Sequence, residues 1–123
     1  MSSDDETAMV MSDLGTATEL VRSVARRARS MAPTLDAADL STLGSILDEL
    51  TSTLAYLTNQ CAKHTERYPT GRILRDDTTQ DPAARCAQAA EYLHQMSQHL
   101  LAANAVARQF QSTIGHIGVE EQP

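Results

Sequence analysis

Aromatic side chains are nearly absent from this chain. They make up 3% of 123 residues, as three Tyr and one Phe with no Trp. A core without them must be filled by Leu, Ala, Met and Ile, which suits close helix packing better than a sandwich of strands. Strand formers are scarce overall, so a sheet is not expected. Two Cys are too few for a disulfide framework, and a cytoplasmic location is the default. No apolar run approaches the roughly 18 residues that a membrane span needs. The segment Met1 to Val10 lacks the basic and apolar regions of a secretory signal, although export by a signal-free route would leave no such trace. Basic charge is also in deficit: the formal net charge is −6, which argues against general nucleic-acid binding.

What the chain does have is heptad order. Leu40, Leu43, Leu47, Leu50, Leu54, Leu57, Cys61, His64 and Tyr68 follow one another at alternating steps of three and four. Cys86, Ala89, Leu93, Met96, Leu100, Ala103, Ala107, Phe110 and Ile114 do the same. Such spacing keeps one helical face towards one partner, so the two segments are expected to form a long antiparallel hairpin. Matching them outward from the loop sets Cys61 opposite Cys86, Leu54 opposite Leu93 and Leu47 opposite Leu100.

The expected fold is all-α: this hairpin with a shorter N-terminal helix, as a three-helix up-down-up unit. Residues 1–12 read as an acidic, disordered start. Residues 13–114 read as one helical bundle domain with helices at about 13–32, 36–67 and 82–114. Residues 115–123 read as a flexible tail. Thr16-Ala17-Thr18-Glu19 fits a capping box for the first helix, and Pro33 would end it. Pro69 and Gly71 stop the second helix, and Asp81-Pro82 restarts the chain as a third. The connection 69–81 is long for a helical hairpin and carries Ile73-Leu74, which fits either capping of the bundle end or docking of a partner.

Charges are sparse along both hairpin helices. Only Asp48 and Glu49 fall between Leu40 and Ala62, and only Glu91 and Arg108 between Cys86 and Ile114. Solvated helices alternate many charges. A second buried face is therefore expected, most simply in a homodimer that completes a larger bundle, with Leu50, Leu54, Leu57, Tyr92, Leu93 and Leu101 at the interface.

Chemistry-bearing residues are few. Cys61-x-x-His64 on one helix face, with Cys86 opposite, could supply three zinc ligands if a fourth arrived, but the plainer reading is two small buried cysteines and a hydrogen-bonded histidine. His94 and His99 are five apart and do not share a face. Glu91-Tyr92-Leu93-His94 is a lone match to di-iron carboxylate motifs. Arg22, Arg26 and Arg29 share a face that could meet phosphates or an acidic partner. No nucleophile is paired with a base, and no cofactor is implied. The function expected is a non-enzymatic interaction, scaffolding or regulatory module acting as a homo-oligomer on an unidentified protein partner. The alternatives are a metal- or small-ligand-binding bundle and a nucleic-acid accessory factor using those arginines.

Overall fold

A computed structural model describes residues 2–31, 35–78 and 80–118. The described residues are helical, without a strand, and form three helices: α1 (Ser3–Arg27), α2 (Ala37–Arg67) and α3 (Pro82–Ile114), with a 3-10 turn at Ala28–Ser30. No helix among them is long and apolar enough to cross a membrane. The chain divides into two compact units, Met1–Asp36 and Ala37–Pro123.

The first helix starts at Ser3, about ten residues before the expected site. Ser2 caps it by accepting the Asp5 amide, and Asp4, Asp5 and Glu6 occupy the first turn. The acids that suggest a solvated terminus are the residues that a helix N-terminus favours, because they complement its unpaired amides and its dipole. Thr16 and Gly15 consequently lie inside the helix rather than at its start. Arg26 and Arg27 complete the last turn, before the expected stop at Pro33, which lies outside the described residues. No residue of α1 is buried.

The hairpin unit is the packed one. Its turn closes at Tyr68–Arg72, where the Arg72 amide donates to the Pro69 carbonyl and Gly71 takes φ 72°, a conformation that favours glycine. Asp81 caps α3 through the Ala83 amide, with Pro82 at the first helical position, as expected. The expected stop at Gly115 also coincides with the end of α3, and the tail beyond Gly118 lies outside the described residues.

On α2 the seam with α3 is not the leucine pattern, and on α3 only alternate members of the expected pattern belong to it. Its buried residues are Gly44, Ala55, Thr58 and Ala62 from α2, and Ala90, Ser97 and Asn104 from α3. With part-buried Asp48 and Thr51, the α2 set has its own steps of four and three. The α3 set repeats every seven and alternates with part-buried Cys86, Leu93, Leu100 and Ala107. Small residues let the helices approach closely. A Cβ on Gly44 would lie 3.0 Å from the Gln111 Cβ and 3.2 Å from its Cα, so the α3 backbone side occupies the space that any side chain there would need.

The register also slides. Pairing Leu54 with Leu93 would put Ser97 level with Leu50; instead the Ser97 hydroxyl donates to the Ala55 carbonyl at 2.8 Å. Asn104 lies against Asp48 and Thr51 rather than Leu43. The polar seam decides this register, because burying Ser97 and Asn104 without these acceptors would leave unsatisfied donors. Thr51 and Thr58, which the leucine pattern turns outward, are seam residues whose hydroxyls bond back to the Leu47 and Leu54 carbonyls. Among the described residues no buried side-chain polar atom lacks a partner.

Candidate interaction surface

Each α2 leucine on the face directly precedes a seam residue: Leu43 before Gly44, Leu47 before Asp48, Leu50 before Thr51, Leu54 before Ala55, Leu57 before Thr58. One residue is about 100° of rotation, so the leucines form a ridge beside the seam rather than within it. On α3, Met96, Ala103 and Phe110 likewise precede Ser97, Asn104 and Gln111. In an antiparallel pair equivalent flanks fall on the same side. One broad side of the hairpin is therefore largely apolar, interrupted on α3 by His99, which directly precedes Leu100. Leu43, Leu47 and Leu50 on it are 36%, 37% and 38% exposed, and Met96 is 50% exposed.

The opposite side is polar. There the Glu66 carboxylate meets His94 Nε2 at 2.7 Å, and Arg108 Nε donates to Asp48 Oδ1 at 3.2 Å. Between them a shallow hollow of about 390 Å³ is lined by Ser52, Tyr56, Asn59, His94, Gln98 and Leu101, among others. Asp48 joins the seam to this side. Its carboxylate accepts from the Asn104 amide at 2.7 Å and from Arg108, and both contacts hold its pKa below the ordinary carboxylate value. A second acid is lowered at the loop end, where Asp76 accepts from the Thr78 hydroxyl and amide and pairs with Arg85 at 2.9 Å.

The six residues expected at an interface divide among these sides and the seam. Leu50, Leu54 and Leu57 border the leucine side, Tyr92, 61% exposed, lies on the same α3 flank as Met96, and Leu93 is part-buried in the seam itself. Leu101, 55% exposed, lines the polar hollow instead. Sequence reasoning overlooked Met96 and Leu47 as surface residues because it spent them on the seam.

The cysteine and histidine set is not assembled. Among the described residues no group of three or more His, Cys, Asp or Glu is placed to hold a metal ion. Cys61 and Cys86 are both free thiols. The register slide accounts for this: Cys86 shares a hollow with His64, Thr65 and Tyr68, while Cys61, expected opposite it, is exposed. In the connection, Arg72 stacks 4.4 Å from the Tyr68 ring centroid, Ile73 is wholly exposed and Leu74 is half-buried.

Across the end of α1 and the 3-10 turn after it, Arg22, Arg26 and Arg29 line one hollow with Ala25. Arg22 is paired with Glu19 on the same helix.

No known protein family, curated protein or solved structure matches the chain.

Proposed function

We propose that this protein is a non-enzymatic helical interaction module, working in the cytoplasm as a homo-oligomer that associates through the leucine side of the α2–α3 hairpin. The observation that supports this reading is the poverty of the hairpin's own core. Its fully buried apolar residues among those described are Ala55, Ala62 and Ala90, and no large side chain is fully buried. Two helices with so small a core stand near the limit of independent stability. Meanwhile a continuous row of leucines remains partly wetted, which soluble monomers avoid.

The dimensions suit a dimer. The 31 residues of α2 extend about 45 Å at 1.5 Å per residue, and two helices side by side span about 20 Å. The resulting face is on the order of 900 Å² per chain, close to that of a standard-size protein interface. Pairing two leucine sides would complete a larger bundle and leave the polar sides, with the hollow at Tyr56 and His94, directed outward. Those sides would then be the surfaces offered to a protein that the assembly recruits, scaffolds or regulates.

Thermal unfolding over a hundredfold range of protein concentration tests this reading. For an assembly whose folding is coupled to association, Tm rises with concentration by mass action. A melting temperature independent of concentration, with the mass of a single chain, would overturn it.

A further inference from the structure

Helix α1 carries an apolar stripe of its own. Val10, Leu14, Ala17, Val21, Val24 and Ala28 follow at steps of four and three, the spacing that two-helix packing requires. The stripe is wet: Val10, Leu14, Val21 and Val24 are 46%, 38%, 55% and 50% exposed. Charge is divided along the same helix. Asp4, Asp5, Glu6 and Asp13 lie in its first half, and Arg22, Arg26 and Arg27 in its last two turns, with Glu19 in the second half paired to Arg22. A helix polarised this way repels a parallel copy of itself and complements an antiparallel one.

We infer that α1 is a second self-association element, which pairs antiparallel with α1 of another copy of this chain. The register follows from the stripe. Centring the pair near residue 19 layers Val10 against Ala28, Leu14 against Val24 and Ala17 against Val21, so each apolar residue meets an apolar partner. Glu6 and Asp13 each directly precede a stripe position, and so does Arg27. Equivalent flanks meet in an antiparallel pair, so Arg27 of one copy falls between Glu6 and Asp13 of the other. Arg22, Arg26 and Arg29 point away from the pair, which leaves their cluster accessible. Thr18 lies on the opposite flank and near the middle, where it meets its own counterpart. Ser12 lies on the far side of the helix from the stripe.

This pairing is independent of the hairpin interface, and the two are separable by experiment. The full chain is prepared with Cys61→Ser and Cys86→Ser, adding Thr18→Cys or Ser12→Cys, and is oxidised gently. Disulfide formation requires Cα atoms within about 7 Å, so Thr18→Cys should give roughly tenfold more covalent dimer than Ser12→Cys. The Thr18 cross-link should persist when Leu50→Asp removes the hairpin interface. Charge reversal then tests orientation. Glu6→Arg with Asp13→Arg, or Arg27→Glu, should each lower the yield several-fold when alone, because like charges then meet at both ends. Mixing the two should restore it as a heterodimer. Equal yields at Thr18 and Ser12, or yields indifferent to charge reversal, would overturn the pairing and assign the stripe to another surface.

Discussion

The α2–α3 hairpin and α1 are both long helical units with an apolar heptad stripe, and they differ in what that stripe does. In the hairpin, a seam rich in glycine, alanine, serine, threonine and asparagine brings the two helices together, and the α2 leucines are left beside it. In α1, cap and dipole favour the helix locally, while none of its residues is buried. The difference teaches that an apolar stripe and a packed seam are separate features. Small residues bring backbones close and polar ones fix the register, whereas the larger residues beside them stay partly exposed.

The largest effect expected is on the leucine side. Leu50→Asp or Leu47→Asp puts a charge into the proposed interface and should weaken the dimer by two or more orders of magnitude, about 3 kcal/mol. Val21→Asp lies in the inferred α1 pairing and not in the α2–α3 seam, so it should leave the hairpin's melting transition nearly unmoved. Size exclusion with light scattering and thermal melts read both. Equal losses from the two substitutions would erase the contrast between the units.

The next effect tests the seam. Gly44→Leu must push α3 away at Gln111 and Phe110, and should cost about 1–3 kcal/mol in denaturant unfolding. Asn104→Ala strands its bonds to Asp48 and Thr51 and should cost about 1–2 kcal/mol. A neutral Gly44→Leu would mean that the helices are not closely seated there.

Much of this fold was legible in the sequence, and the reason for the remainder is specific. Helix-stop and helix-start chemistry at Pro69, Gly71 and Asp81-Pro82 is local, so the boundaries of α2 and α3 could be read directly. Which face of each helix meets the other is a tertiary question, and here size misled. Leucine at steps of three and four looks like a seam, yet Gly44, Ala55, Ala62, Ala90 and Ser97 repeat with the same periodicity one residue later. Both patterns are present, and the smaller residues win because helices packed through them come closer and gain contact along the whole backbone. The register error then carried through to Cys61 and Cys86. Asn104, absent from the leucine pattern, was the clue: a buried amide on a helix needs a fixed partner.

A smaller effect concerns pH. Because Asn104 and Arg108 lower the folded-state pKa of Asp48, its contribution is complete above the unfolded carboxylate value of about 3.9 and is lost as pH falls through the lower folded value. Acid unfolding followed by circular dichroism should therefore be shallower below about pH 4 in Asp48→Asn than in the parent chain. Identical acid slopes would remove Asp48 from the seam's energetics. The smallest effect lies in α1: Gly15 is helical with open space around it, so Gly15→Ala should stabilise that helix by about 0.5–1 kcal/mol without changing the hairpin's transition.

The most direct test is the absolute mass in solution of three chains at matched dilutions: the parent, Leu50→Asp on the leucine side and Leu101→Asp on the polar side. Association through the leucine side gives a defined oligomer for the parent and for Leu101→Asp, and a smaller species for Leu50→Asp. If Leu101→Asp dissociates the assembly while Leu50→Asp leaves it intact, the leucine side is not the interface and the central assignment fails.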